Sequence, residues 1–219
     1  MHILVTAATA AELLPAREVW ETVRHQSNCN LYIEPVETGI GITPTSYHTL
    51  KALLVTPTPY DLTINIGIAG AFDDSLPLGS TVRVVSDYFG NQGIQTASGF
   101  QTLFDAQLLD ADTFPFTSGK LFPTPLSPKL ESMLAHLTIV NGVTVQHIVE
   151  GGTRKMEGGD QVETMEGAAF FYVCLKERIP CVALRTISNR VGERDKTKWN
   201  IPLALSELRK TLTSILYAI

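Results

Sequence analysis

The chain has 219 residues, of which 44% are hydrophobic and 18% are charged, and its formal net charge is −5. A chain so rich in apolar residues is not disordered, and without a basic run it lacks the phosphate-neutralising charge of a nucleic-acid binder. No apolar run approaches the ~18 residues of a membrane-spanning helix, and the first residues do not follow the pattern of a signal peptide, so we expect neither.

Short apolar runs alternate with helical stretches along most of the sequence. This alternation is typical of a mainly parallel sheet with helices on both faces, a three-layer α/β/α architecture. In chain order we predict a strand at 2–5, a helix at 10–24, a strand at 31–37, a helix at 44–55, strands at 62–68, 81–87 and 140–149, a helix at 167–178, a strand at 180–187 and a helix at 201–217.

The segment 90–130 departs from this pattern, because it is rich in Gly, Pro, Thr and Ser and shows weak periodicity. A linker between two domains would have this composition, and so would a long excursion from one domain. Since no second complete set of strands and helices follows, we predict a single domain over 1–219 with an excursion at about 90–130.

The spacing of cysteines and histidines argues against a metal site. The three cysteines, Cys29, Cys174 and Cys181, are odd in number and form no CxxC pair, so neither a disulfide framework nor a zinc site is indicated. The five histidines are scattered along the chain. We therefore expect a cytoplasmic protein with free thiols and with neither a metal nor a cofactor.

Ligands of parallel α/β sheets bind beyond the carboxyl ends of the strands, so the residues after each strand are informative. Small residues follow the first three predicted strands, at 6–11, 38–41 and 67–70, and allow a close approach of the backbone to a ligand. They match neither a dinucleotide fingerprint nor a P-loop, and tight strand–helix turns also require glycine. The last predicted strand is followed by Ser188-Asn189, which suits a substrate-reading side chain or an ordinary turn.

A further candidate is the segment 162–169, in which two carboxylates and a methionine precede a run of small residues. Glu166 lies near a predicted helix N-terminus. There it can serve as a favourable partner of the helix dipole, or it can face a ligand.

The order of these features is more specific than any one of them. Glu12 follows the first strand, Gly-x-Ala-Gly fills 67–70, Thr-Met-Glu-Gly-Ala-Ala fills 164–169 and Arg-x-Ile-Ser-Asn fills 185–189. Over nearly the whole chain this order resembles the nucleoside phosphorylase and nucleosidase superfamily, and within it the futalosine hydrolases, relatives of the methylthioadenosine/S-adenosylhomocysteine nucleosidases. The resemblance implies a nucleoside phosphorylase-like fold around a mixed, mainly parallel twisted sheet, and a homo-oligomer that binds a small-molecule nucleoside.

The resemblance also implies roles for individual side chains. Glu166 would accept hydrogen bonds from the 2′- and 3′-hydroxyls of ribose while Met165 packs against the sugar, and an ionised carboxylate suits two adjacent hydroxyls. Glu12 would deprotonate water for attack on the anomeric carbon. From its spacing alone Glu12 is better explained as a solvent-facing helix residue, so its catalytic role depends on the resemblance.

The choice between water and phosphate follows from residues that the sequence lacks. Phosphorylases of this superfamily bind phosphate through arginines in the early loop and just before the middle glycine. This chain has Ala-Ala-Thr at 7–9 and Asn-Ile-Gly at 65–67, and it has Ile68 where a phosphate-contacting serine is expected. Because phosphate favours guanidinium donors, this pattern predicts that water is the nucleophile.

Asn189 stands where the adenine-specific nucleosidases carry an aspartate. An amide can accept from a protonated purine N7 and donate to O6, which suits a 6-oxopurine such as hypoxanthine, but it cannot deliver the proton that an aspartic acid can. The source of the proton for the leaving base stays open, with water at N7 as one route.

Other predicted wall residues are Ile40 on the 5′ side, Ala69 and Gly70 over the sugar, and Trp199, which is either an aromatic lid or a core residue. The benzoate of futalosine requires a polar or cationic partner. The sequence offers four candidates without distinguishing among them: Arg154, Lys155, Arg190 and Arg194.

The predicted activity is hydrolysis of futalosine to hypoxanthine and dehypoxanthine futalosine, a step of menaquinone biosynthesis. Three alternatives remain open. They are a nucleosidase for methylthioadenosine/S-adenosylhomocysteine or inosine-type substrates, a purine nucleoside phosphorylase, and a non-catalytic nucleoside-binding protein.

Overall fold

The computed structural model describes residues 1–25, 30–97, 99–147, 159, 161–193 and 195–219, and within them a seven-stranded mixed sheet carries helices on both faces. The strands are β1 (His2–Ala7), β2 (Tyr32–Glu37), β3 (Leu62–Ala71), β4 (Thr81–Ser86), β5 (Gly93–Thr96), β6 (Gly99–Thr102), β7 (Thr138–Thr144), β8 (Val162–Thr164) and β9 (Cys181–Arg190). The helices are α1 (Ala10–Val23), α2 (Ile42–Val55), α3 (Pro128–Leu134), α4 (Gly167–Lys176) and α5 (Ile201–Ala218).

The strand order in the large sheet is β2-β1-β3-β8-β7-β4-β9, and β9 returns to pair with β3. Strands β3, β8, β7, β4 and β9 therefore form a closed circuit, from which β1 and β2 extend. Most pairings are parallel, as predicted, whereas β8 with β3 and β4 with β9 are antiparallel. The closed circuit brings the carboxyl ends of β3 and β9 together at one end of the sheet.

Several predicted boundaries are wrong. Both β3 and β9 are ten residues long, so 67–70 and 188–190 lie inside strands rather than in the turns that follow them. The predicted strand 140–149 is β7, which ends at Thr144, and residues 148–150 lie outside the described part. The excursion 90–130 contains the β5–β6 hairpin and leads into α3, neither of which was predicted.

Two apolar cores lie on opposite faces of the sheet. One lies between the strands and α1, α3 and α5, and includes Ile64 and Leu184 from adjacent strands. The other packs α4 onto Val162, Ala183 and Ile187. Among the described residues, no helix combines the length and apolar character that a membrane span requires.

The start of α1 is built around a reciprocal capping box. The Thr9 hydroxyl accepts the amide of Glu12, and the Glu12 carboxylate accepts the amide of Thr9 at 3.0 Å. Pro15 fits inside the helix at its second turn. Because the cap fixes the first turn, Glu12 is held at the carboxyl end of β1 instead of facing solvent.

Helix α3 is attached to the sheet by a two-bond ion pair. Arg83 of β4, whose side chain is 10% exposed, donates to both carboxylate oxygens of Glu131 at 2.6 and 3.0 Å. The hydrogen bonds from Arg83 hold the pKa of Glu131 below its ordinary value of 4.5.

We expect Glu131→Gln to lower the free energy of unfolding by about 1–2 kcal/mol, less than for a fully buried pair, since the Glu131 side chain is 42% exposed and screened by water. Because the folded-state pKa of Glu131 is depressed, its contribution is present above pH 4.5 and is lost as the pH falls below that value. Urea unfolding of both proteins across this range measures the difference.

The matched control is Glu207→Gln, which removes the exposed pair of Glu207 with Lys210 and is expected to change stability by less than about 0.5 kcal/mol. An equal effect of the two substitutions, or a Glu131 effect that persists unchanged in acid, would contradict the prediction.

Candidate active site

A cavity of about 260 Å³ lies where β1, β2 and β7 end and against the last residues of β3 and β9. This is the end of the sheet at which parallel α/β folds bind ligands. The structure brings all the sequence-predicted site residues into its wall: Glu12, Ile40, Ala69, Gly70, Met165, Glu166, Asn189 and Trp199.

Three donors hold the carboxylate of Glu12, which is 7% exposed. One oxygen accepts the amide and the hydroxyl of Thr9 at 3.0 and 2.7 Å. The other accepts the backbone amide of Ile68 at 3.0 Å. A side chain at Gly67 would place its Cβ 3.0 Å from that same oxygen, so the glycine leaves room for the carboxylate rather than making a turn. The interpretation of Glu12 as a solvent-facing helix residue is therefore wrong.

Glu166 lies at the N-cap of α4 and reaches across to the start of α2. Its carboxylate accepts the amide of Gly41 at 2.9 Å and, more weakly, that of Met165 at 3.3 Å. Gly41 has φ of 96°, a backbone conformation that favours glycine. Burial raises the pKa of Glu166, while the Gly41 amide and the charge of Arg185 oppose the rise.

A buried aspartate supports the turn that carries Glu166. Asp87 accepts the hydroxyl of Thr144 at 2.9 Å, and Thr144 in turn accepts the amide of Ala168 at 2.7 Å. The Asp87 carboxylate lies so close to Gly167 that a Cβ there would clash at 2.2 Å. Strands β4 and β7 thus fix the first turn of α4.

Arg185 is completely buried in the sheet. The sequence analysis names it only as the first residue of the motif at 185–189. Its guanidinium donates to the Asn65 carbonyl at 3.1 Å, to the Leu184 carbonyl at 2.9 Å and to the side-chain oxygen of Asn65. Burial lowers the pKa of Arg185, and the carboxylates of Glu166, Asp87 and Glu12 oppose this effect. The sequence contains a signal for this buried pair, because Asn65 interrupts the apolar run of β3 and Arg185 interrupts that of β9.

A bulge in β9 directs Asn189 to the cavity. Ala69 pairs with Ile187 and Gly70 with Asn189, so Ser188 is an extra residue between them. The Ser188 hydroxyl donates to the Asn189 side-chain oxygen at 2.7 Å, and the Asn189 amide nitrogen donates to the Arg190 carbonyl at 2.9 Å. Each end of the amide retains one further hydrogen-bonding position for a ligand.

Trp199 lies at the cavity wall and not in a helix-packing core. Its indole N–H donates to the Glu193 carbonyl at 2.9 Å. The Glu193 carboxylate accepts the ammonium of Lys198 at 2.7 Å and the amide of Asp195 at 2.9 Å. The hydrogen bond from Lys198 lowers the pKa of Glu193. These contacts hold Glu193 and Trp199 together at the cavity wall.

The sequence analysis missed Val145, Gly192 and Glu193 in the lining, and it named Glu163 and Thr164 only as members of the candidate segment 162–169. Among the described residues, four glutamates line the cavity and no lysine or arginine does.

The structure describes one of the four benzoate candidates, Arg190. Arg190 is paired with Asp74 and with the Leu76 carbonyl, both at 2.8 Å, and does not line the cavity. Arg154, Lys155 and Arg194 lie outside the described residues. Within the described ranges no cluster of three His, Cys, Asp or Glu side chains could hold a metal, and Cys174 and Cys181 are buried free thiols.

Comparisons with known proteins agree on family and fold. A family model described as the phosphorylase superfamily matches residues 35–219. A futalosine hydrolase of Streptomyces coelicolor is 31% identical over 154 residues, so the match spans 68% of this chain and 63% of that relative. A futalosine hydrolase of Thermus thermophilus is 28% identical over 191 residues, 83% of this chain and 80% of the relative. The native structure of futalosine hydrolase from Helicobacter pylori matches with a TM-score of 0.78 at 17% identity, over 100% of this chain and 98% of that one, and confirms the fold.

We expect burial of the Glu166 carboxylate to lower the free energy of unfolding at neutral pH, and a mutation can test this. Because the pKa of Glu166 is raised in the folded protein, the folded state holds this proton more tightly than the unfolded chain, and stability falls as the pH rises above the ordinary value of 4.5. We expect Glu166→Gln to increase the free energy of unfolding by about 1 kcal/mol at neutral pH, or roughly 2–4 °C in Tm.

The gain should vanish at about pH 4, where the wild-type carboxyl is protonated as well. Thermal unfolding of the two proteins at acid and neutral pH tests this expectation. Glu37→Gln, at a half-exposed site, is the control and should shift Tm little at either pH. A destabilised Glu166→Gln protein at neutral pH would show that the carboxylate contributes favourably to the fold.

Proposed function

The chain belongs to the phosphorylase superfamily, and on this basis we propose that it is a nucleosidase that hydrolyses the N-glycosidic bond of futalosine, releasing hypoxanthine and dehypoxanthine futalosine. The observation that carries the proposal is the charge of the cavity. Two carboxylates, those of the buried Glu12 and the partly buried Glu166, face it, and the described lining residues include no cation. The similarity to futalosine hydrolases of two organisms supports the choice of substrate.

Water is the nucleophile that this cavity favours. A phosphate dianion would face Glu12 and Glu166 with no guanidinium among the described lining residues to neutralise it, and like charges in a cavity of low polarity repel strongly. Arg185 is held away from the cavity by its hydrogen bonds to Asn65. The backbone amide of Ile68 is used by Glu12 and is not available to an anion.

Glu12 is the general base of the proposed reaction. Its carboxylate takes a proton from water as the water oxygen bonds to the anomeric carbon. The bond from that carbon to the purine nitrogen breaks, and its electron pair leaves with the purine. Three hydrogen bonds fix the carboxylate in place before substrate arrives. This positioning lowers the reorganisation that the transition state requires.

Glu166 and Met165 hold the ribose. The Glu166 carboxylate has acceptor positions beyond the Gly41 and Met165 amides, and these would take the 2′- and 3′-hydroxyls. Its negative charge stabilises the developing oxocarbenium ion. Asn189 reads the base, with its oxygen accepting from a protonated N7 and its nitrogen donating to O6.

We further propose that the protein is a single domain that works as a homo-oligomer in the cytoplasm, in the menaquinone pathway. Exposed apolar side chains at the cavity mouth and along α2 support the oligomer. Ile40 is 61% exposed at the 5′ side, and Tyr47 and Leu54 lie seven residues apart on α2, hence on one stripe of its surface.

Product analysis of the purified protein tests the reaction. Hypoxanthine should be released from futalosine at the same rate with and without phosphate, as followed by chromatography.

Glu12→Gln should lower kcat by about 10²–10⁴-fold and keep its fold, because glutamine also completes a capping box. A sugar phosphate product would favour a phosphorylase, and a wild type that binds without turnover would favour a binding protein. A Glu12→Gln enzyme with the wild-type rate would exclude Glu12 as the base.

Asn189→Asp tests how the base is read. An aspartate can protonate N7 and accept from a 6-amino group, so we expect the ratio of kcat/KM for futalosine to that for its 6-amino analogue to fall by about 10²-fold or more. The two substrates are compared in one competition assay. An unchanged ratio would show that Asn189 does not contact the purine edge.

A further inference from the structure

The hydroxyl of Thr9 makes a hydrogen bond that the capping of α1 does not require. A capping box is complete when the hydroxyl accepts the Glu12 amide and the carboxylate accepts the Thr9 amide, and both of these bonds are present. The Thr9 hydroxyl also donates to Oε2 of Glu12 at 2.7 Å, whereas it accepts the Glu12 amide at 3.4 Å. The shorter of its two bonds is thus the one to the carboxylate.

The direction of this short bond follows from the groups that form it. An ionised carboxylate can only accept, and a hydroxyl has a single hydrogen, so the hydrogen of the Thr9 hydroxyl is committed to Glu12. Bonds to a charged acceptor are stronger than those between neutral groups. The Thr9 side chain therefore acts on the carboxylate that is proposed to be the general base.

The hydrogen bonds make the two oxygens of Glu12 unequal. Oε2 accepts two hydrogen bonds, both from Thr9, while within the described part of the chain Oε1 accepts one, from the amide of Ile68 at 3.0 Å. A proton on Oε2 would be a third hydrogen on an oxygen that already faces two. Oε1 is therefore the better acceptor for a proton from water.

The other hydroxyl side chains among the described lining residues, Thr164 and Ser188, have different partners. Thr164 accepts the amide of Gly167 at 3.2 Å, and Ser188 donates to the side-chain oxygen of Asn189 at 2.7 Å. Thr9 is thus the hydroxyl of this lining that binds the proposed base.

We propose that Thr9 is a positioning residue that directs proton transfer to Oε1 of Glu12. This inference rests on the proposed function. The Thr9 hydroxyl and amide occupy Oε2, so that Oε1 receives the hydrogen of the attacking water. Without the hydroxyl, Oε2 competes for water, and part of the bound water is then badly placed for attack on the anomeric carbon.

The first test removes the hydroxyl alone. Thr9→Val is nearly isosteric and keeps the amide that binds Oε2. We expect it to lower kcat for futalosine by about 10- to 100-fold, as for loss of a hydrogen bond to a charged group, and to leave KM within about threefold of wild type. Thr9→Ser retains the hydroxyl and should keep kcat within about threefold. An unchanged kcat in Thr9→Val would overturn the inference.

A double-mutant cycle separates this role from helix capping. In a Glu12→Gln background the base is absent, so adding Thr9→Val should change the residual kcat by less than about twofold. An equal loss in both backgrounds would show that Thr9 does not act through Glu12, and would overturn the inference. If Thr9→Val does not fold, Thr9→Gly replaces it in the cycle, because glycine is also accepted at an N-cap and has no hydroxyl.

The matched control is Ser127→Ala, which removes the side chain that caps α3 by accepting the amide of Leu130. Loss of either cap should lower Tm, and thermal unfolding measures both changes. We expect kcat to fall in Thr9→Val and to stay at the wild-type value in Ser127→Ala. A similar fall of kcat in both variants would assign the effect to stability and would overturn the inference.

Assays on futalosine, inosine and methylthioadenosine separate the two levels of the proposal. A wild type that cleaves futalosine without coupling between Thr9 and Glu12 overturns the positioning role alone. If another of these nucleosides is cleaved in place of futalosine and the coupling is present, the substrate is wrong and the positioning role is supported. A wild type that cleaves none of them overturns both.

Discussion

The burial of one guanidinium, that of Arg185, is the constraint on which the site depends. Taking a cation out of water costs several kcal/mol unless hydrogen bonds and opposite charges compensate it. Asn65 supplies two of the acceptors, and the carboxylates of Glu12, Glu166 and Asp87 supply the charge. In return, Arg185 makes it possible to keep three carboxylates at one end of the sheet, where they would otherwise repel one another.

The two carboxylates proposed to act on substrate are held mainly by backbone amides. Ile68 and Thr9 supply amides to Glu12, and Gly41 supplies one to Glu166. Backbone donors in strands and helix starts do not change rotamer, so the negative charges are fixed before a substrate binds. Burial raises the pKa of Glu166, so we expect this arrangement to lower the stability of the fold, as is common in active sites.

The sequence predicts which residues line the site better than it predicts the backbone that carries them. Motif order located eight of the lining residues, from Glu12 to Trp199, and alternation located most strands and helices. The glycines at 67 and 70 were taken for turns, although both lie inside β3, where they leave room for Glu12 and Asn189. Helix α3 was missed because seven residues are too short to show a period. The closure of β9 onto β3 and the burial of Arg185 arise from pairing between distant strands, which local patterns do not encode.

The bulge at Ser188 gives β9 a property that a regular strand lacks. Consecutive side chains of an extended strand project in opposite directions and cannot bond to each other. With one unpaired residue inserted, Ser188 reaches its immediate neighbour and orients the Asn189 amide, oxygen towards the hydroxyl and nitrogen towards the Arg190 carbonyl. The orientation of the Asn189 amide is therefore set by hydrogen bonds within three successive residues, 188–190. Under the proposed reading of the purine by Asn189, a change of purine preference can arise within this tripeptide while the remainder of the sheet keeps its register.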